Sequence, residues 1–147
     1  SGPEEPVAAV MMHMLGDLTG RTLLVFPKPT AIRLSELMLR RPQGSSKDLG
    51  ELEQSALKEV GNILGGAYLN ALSDFMGMLL IMSVPAIAID MAGAIMTTSY
   101  LNFGEEQDHV LCVNTGMIIG DERIRGHFLL IPDATSLQIM LREMKLG

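Results

Sequence analysis

Apolar residues fill positions 7–14 with a single His13 among them, and resume over 21–26 after Gly16-Asp17. Two short apolar runs across a glycine-containing turn predict a β-hairpin. Pro27 and Pro29 end the second run. Thr30 is placed to cap a helix over 31–41, in which Ile32, Leu34, Leu37, Met38 and Leu39 form a broad apolar face. Pro42 stops that helix, and positions 43–48 read as a polar linker. A long helical pattern occupies 49–75. Positions 78–89 are apolar and extended, because Pro85 forbids a helix interior there. Asp90 is placed to open a short helix through Met96. Positions 109–119 and 123–131 predict a second hairpin around Gly120-Asp121, and 135–144 a closing helix.

The two hairpins are related. Gly16-Asp17 followed by Gly20-Arg-Thr-Leu-Leu-Val-Phe-Pro returns as Gly120-Asp121 followed by Gly126-His-Phe-Leu-Leu-Ile-Pro, with the spacing slipped by a residue or two. A helix with an early threonine follows the proline in both copies. The predicted fold is therefore α/β of the α+β kind: a pseudo-twofold domain with one mostly antiparallel sheet and helices packed on it. The repeat is incomplete. The second unit is preceded by the long 49–75 helix, whereas nothing equivalent stands before Val7.

The length, 147 residues, suits a single domain with a sizeable core, and 48% hydrophobic against 19% charged residues argues for ample burial. A net charge of −6, unrelieved by any basic cluster beyond Arg40-Arg41, argues against nucleic acid and against an anionic membrane surface. It also means that any phosphate chemistry must bring its own cation. The uncharged stretch 75–89 is broken by Gly77, Ser83 and Pro85 and is shorter than the ~20 residues a membrane helix needs. No basic, then apolar leader is visible, and the chain does not begin with Met, so its natural amino terminus can lie elsewhere. Cys112 stands alone in an apolar strand pattern. It excludes an intrachain disulfide, permits a cytoplasmic setting, and reads as a small core residue.

The long helix contains the residues that could do chemistry. Ser55, Glu59 and Asn62 recur at i, i+4 and i+7, so they share one polar stripe. Leu57, Val60, Ile63, Leu64 and Ala67 fall to the other side and are expected on the sheet. Gly61, Gly65 and Gly66 each cost roughly 0.8–1 kcal/mol against alanine in a helix interior. Gly61 is read as leaving the surface beside Asn62 bare for a partner, and Gly65 and Gly66 as serving close helix packing. Spacing alone does not separate Glu-x-x-Asn from an ordinary solvated face whose glutamate pairs with Lys58.

A resemblance does separate them. The run Ser55-Ala-Leu-Lys-Glu-Val-Gly-Asn-Ile-Leu-Gly-Gly-Ala-Tyr-Leu-Asn-Ala-Leu-Ser-Asp-Phe-Met-Gly resembles the second active-site helix of the CheC proteins, in the CheC/CheX/FliY group of chemotaxis phosphatases. Pro3-Glu-Glu and Gly16-Asp-Leu-Thr-Gly resemble that family's first hairpin. Val84-Pro-Ala-Ile-Ala-Ile-Asp-Met-Ala-Gly-Ala-Ile resembles the segment after its second helix, and Phe128-Leu-Leu-Ile-Pro its last strand. Residues 1–147 then form one CheC-like domain without the family's first active-site helix. Either the stretch stops short of that helix or this homologue has lost it. Apolar sheet surface left open in that way implies pairing with a second copy or with a partner.

The resemblance implies a cytoplasmic hydrolase of two-component signalling that removes the aspartyl phosphate of a CheY-type response regulator. Asn62 is then the residue that aims a water at phosphorus, and Glu59 pairs with the regulator's active-site lysine. Ser55, on the same stripe, and Gly61, beside Asn62, are expected partner contacts. No cofactor of its own is implied, since the Mg²⁺ comes with the regulator. The alternative is a non-catalytic module that binds the receptor deamidase CheD or sits at the flagellar switch. Asp90 is the candidate contact for that role, or else simply caps a helix. His13, His109 and His127 lack metal-ligand spacing, and neither a G-x-x-x-x-G-K-[ST] loop nor a G-x-S-x-G elbow is present. The twelve methionines read as flexible core filling.

Overall fold

The computed structural model describes residues 4–91, 95 and 111–143. The chain opens with a hairpin of β1 (Pro6–Gly16) and β2 (Gly20–Pro27), in antiparallel register from Val7 opposite Pro27 to Met14 opposite Gly20. Gly16 takes the turn at φ 109°, a conformation that disfavours any side chain. Helix α1 (Lys28–Met38) follows directly. It starts before Thr30, because Pro29 sits in the first turn, where a missing N–H costs nothing and a fixed φ suits the helix. Thr30 is therefore inside α1 and caps nothing. At its far end Arg40 adopts φ 58°, with Arg41 N–H donating to Glu36 O and Arg40 N–H to Leu37 O, a left-handed Schellman stop.

Helix α2 (Glu51–Met76) is the long element and ends on Gly77 in the left-handed conformation. Two short strands come next, β3 (Leu80–Met82) and β4 (Ala86–Met91), and both pair with β1. They act as one edge strand interrupted at 83–85. Ser83 bridges the break, its Oγ accepting His13 N–H at 2.8 Å and its own N–H reaching His13 O at 2.9 Å. Pro85 is tolerated at such an edge, where its missing donor leaves no ladder partner wanting. Asp90 belongs to β4, opposite Val7, so it does not open a helix. Ile95 is helical, and the remainder of the short helix expected over 90–96 lies outside the described residues.

The second hairpin is β5 (Leu111–Ile119) and β6 (Glu122–Pro132), followed by α3 (Ala134–Glu143). Asp133 starts α3, its Oδ1 accepting Ser136 N–H at 2.8 Å. All pairings are antiparallel, in the order β3–β1–β2–β6–β5 with β4 also on β1. The corresponding strands β2 and β6 lie side by side at the centre, so the pseudo-twofold relating the two hairpin–helix units passes between them.

Alternation splits the sheet into two faces. Ala8, Val10, Met12 and Met14 of β1 join Leu24, Phe26, Phe128 and Leu130 beneath Leu34 of α1, Leu57, Val60 and Leu69 of α2, and Met140 of α3. On the opposite face Val7, Ala9, Leu23, Leu129 and Ile131 pack with Ile95. Cys112, expected in the core, is exposed on β5.

Candidate functional site

The site begins with the segment that fixes where α2 starts. Positions 43–48, expected as a plain linker, are held by two buried glutamates. Glu36 of α1, 1% exposed, accepts the amides of Gly44 at 3.0 Å and Ser46 at 2.9 Å, while Arg33 donates to its other oxygen at 3.2 Å. Glu53 of α2 accepts Gly50 N–H at 3.1 Å, Arg41 Nη1 at 2.8 Å and Ser46 Oγ at 2.9 Å. Gly50 has no side chain to return the bond, so only the glutamate half of a capping box forms. The Ser46 amide does most to hold the Glu36 carboxyl below its usual range, against the opposing cost of burial and with help from Arg33 and the Gly44 amide. Glu53 is lowered likewise, by its own amide first and then by the Ser46 hydroxyl.

The helix so placed packs one face on the sheet. Leu57, Val60 and Leu69 are buried, and Tyr68 stacks on Phe128 with ring centroids 4.6 Å apart and hydrogen-bonds Thr115 of β5. Gly61 belongs to this buried face. A Cβ there would lie 2.4 Å from Val10 Cγ1, so the glycine lets α2 settle on β1, and the expectation that it bares the outer surface is corrected. Gly65 behaves the same way, with Met82 Sδ at 2.8 Å and Met12 Cε at 2.9 Å from a Cβ built on it. Two residues expected on the sheet face outward instead. Ile63 is 59% exposed, and Ala67 is exposed as well.

Ser55, Glu59 and Asn62 all lie exposed along the outer stripe. Among the described residues neither the Glu59 carboxylate nor the Asn62 carboxamide has a hydrogen bond or an ion pair, the contemplated Lys58 pairing included. One helical turn separates the two, which puts their Cβ atoms roughly 5–6 Å apart. They stand on the outward face of the helix, where another protein could lay a concave site over them. A cleft of about 660 Å³ between β5, β6 and the start of α1 is lined by Arg33, Arg123, Arg125 and His127 and shares no residue with the stripe. Asp90 is exposed at the sheet edge, and among the described residues its Oδ1 accepts only its neighbour's amide, that of Met91 at 2.7 Å.

No three His, Cys, Asp or Glu side chains among the described residues converge as a metal site. His13 and His127 are exposed strand residues, the latter bonded through Nδ1 to Asn114 Oδ1 at 2.9 Å, and His109 lies outside the described residues. No described helix is long and apolar enough to cross a membrane.

Comparison with known proteins bears on this helix directly. A model of the CheC-like family matches residues 52–89, a span that contains Glu59 and Asn62. Across 141 residues the chain is 33% identical to the CheY-P phosphatase CheC of Bacillus subtilis, covering 93% of this chain and 68% of that protein. The chain belongs to the CheC-like family. Among solved structures, Thermotoga maritima FliY superposes with a TM-score of 0.71 at 20% identity, over 98% of this chain and 73% of that one. CheX of Borrelia burgdorferi, solved in a CheX–CheY complex with beryllium fluoride and magnesium, gives 0.56 at 16% identity, over 90% and 79%. At these identities the likeness is one of fold. It fits the antiparallel sheet and pseudo-twofold units described above, and α2 is the element within which the family match and the outward Glu-x-x-Asn coincide.

Proposed function

We propose that this CheC-like protein hydrolyses the aspartyl phosphate of a CheY-type response regulator, with Glu59 and Asn62 as its working pair. The observation that carries this reading is the exposure of both side chains, unpartnered among the described residues, on the outer stripe of a helix packed on the sheet. Family membership through a CheY-P phosphatase supports it.

An acyl phosphate is already prone to hydrolysis, and the regulator supplies the Mg²⁺ and lysine that offset the phosphate charge. What remains is to hold one water in line with the breaking P–O bond, a matter of positioning and electrostatics. A carboxamide suits the task because it both donates and accepts, and so fixes a water's orientation as well as its place. The Asn62 side chain enters the regulator's site and presents that water. Glu59, a turn earlier, pairs with the regulator's lysine and sets the docking register, with Ser55 next along the stripe. Water attacks phosphorus, the P–O bond to the aspartyl carboxylate breaks, and inorganic phosphate leaves.

The test is phosphate release from a phosphorylated CheY-type regulator, with and without the protein. Wild type accelerates the loss. Asn62→Ala reduces the acceleration by ~10²–10³-fold, the usual effect of deleting one positioned catalytic amide, and leaves the circular dichroism spectrum unchanged. An Asn62→Ala variant as fast as wild type overturns the assignment.

A second partner, a CheD-type deamidase, is favoured by one observation: Asp90 stands exposed at the sheet edge rather than spent on a helix cap. Co-purification with CheD, lost in Asp90→Ala, checks it.

A further inference from the structure

Three glycines interrupt the middle of α2, and glycine is among the worst residues for a helix interior. Packing accounts for two of them, since a Cβ at Gly61 or Gly65 would run into Val10, Met12 or Met82 well inside contact distance. It does not account for the third. Among the described residues a Cβ at Gly66 would meet nothing nearer than Met82 Cε at 3.9 Å, an ordinary van der Waals contact, and the backbone there is helical with no positive φ. Alanine would fit at Gly66 and hold the helix better. No packing contact among the described residues asks for glycine at this position.

Its place on the helix offers another reason. Gly66 follows Asn62 by four residues and Ile63 by three, so the three form one surface patch. Helical side chains lean toward the amino terminus, and a side chain covers the surface of the turn before its own Cα. Any side chain at 66 would therefore lean back over Asn62 and Ile63. Ile63, 59% exposed, forms the apolar shoulder of the patch.

We infer that Gly66 is a docking position, kept without a side chain so that main chain of the phosphorylated partner can lie against α2 beside the Asn62 carboxamide, with Ile63 as an apolar stop. The inference rests on the phosphatase reading above and names the contact that reading leaves open. The partner feature it fits is a backbone segment at the rim of an acidic phosphoacceptor pocket, flanked by an apolar side chain that meets Ile63.

The experiment compares wild type, Gly66→Ala, Gly66→Gln, Asn62→Ala and Gly61→Ala by thermal unfolding and by steady-state dephosphorylation of the regulator. Gly66→Ala is expected to melt at or above the wild-type temperature while kcat/KM falls at least threefold, chiefly through KM. Gly66→Gln keeps that melting temperature and loses at least tenfold. Gly61→Ala melts lower, as a buried contact requires. If wild type is active, Asn62→Ala is not, and both Gly66 variants match wild type, the Gly66 assignment is overturned alone. If Gly66→Ala loses stability and activity together, its role is packing and the assignment is again overturned. If wild type does not accelerate phosphate loss, the phosphatase reading falls and takes this contact with it.

Discussion

Glu59 and Asn62 are one turn apart but are asked to do different things, and substitution separates them. In the proposed mechanism Asn62 acts only when the phosphate is being attacked, so its loss is seen in kcat. The same proposal has Glu59 act in docking, so Glu59→Ala raises KM by an order of magnitude or more with a smaller change in kcat, and Glu59→Lys is worse because two cations then face each other. Salt attenuates the Glu59 effect and leaves the Asn62 effect in place. Steady-state kinetics at two ionic strengths decides the matter, and equal losses in kcat for the two alanine variants would contradict this division. At this scale the sequence was legible where a side chain's role follows from helical spacing: Ser55, Glu59 and Asn62 do share an exposed stripe. It was misleading where the helix is seated off its expected axis. Spacing placed Ile63 on the sheet and Gly61 in the open, yet Ile63 is exposed and Gly61 touches Val10. A 3.6-residue period gives relative angles around a helix and leaves its rotation on the sheet to the small residues, and in α2 two glycines decide that rotation.

Among the elements, the start of α2 sets the position of the stripe, and it depends on carboxylates. Glu36 and Glu53 are both held below the usual glutamate range, Glu36 chiefly by the Ser46 amide and Glu53 chiefly by its own. A carboxyl whose folded pKa is depressed contributes stability that is complete above its unfolded value, near 4.5, and is lost as the pH falls through the lowered folded value. The protein is therefore expected to hold its melting temperature down to about pH 5 and to lose it progressively below, with the 43–50 segment loosening as its acceptors protonate. Glu36→Gln, which cannot ionise, should start from a lower melting temperature at pH 7 and show a flatter decline into acid. An identical slope for variant and wild type would show that Glu36 carries none of the dependence. The element boundaries were otherwise well marked in the sequence: α2 and both hairpins lie within a few residues of the pattern that announced them. The start of α1 was missed because Pro29 reads as a breaker but suits a first turn, and the 43–48 linker because buried glutamates look like surface ones in a sequence.

For the whole molecule, the repeat announced two hairpin–helix units, and the sheet contains them. What it did not announce is their arrangement, with β2 against β6 at the centre and β3 and β4 sharing one edge of β1, because pairings between distant segments leave no local periodicity. Besides the strand pairing, a cation of α1 ties the halves together. Arg33 of α1 makes a bidentate pair with Glu122 at the start of β6 and also donates to buried Glu36. The two ends of this link are unequal. Glu122 is partly exposed, and removing it leaves a guanidinium that still has Glu36 and some access to water. Removing Arg33 unpairs two carboxylates at once, one of them buried, and a buried charge that loses its partner is the costlier case. Arg33→Ala should therefore lower the urea midpoint clearly more than Glu122→Ala. Because both substitutions break the same contact, the double variant should be scarcely less stable than Arg33→Ala alone. Additive losses would mean that Glu122 stabilises the second unit by itself, and that the units are joined through the β2–β6 pairing and the shared core without this ionic link.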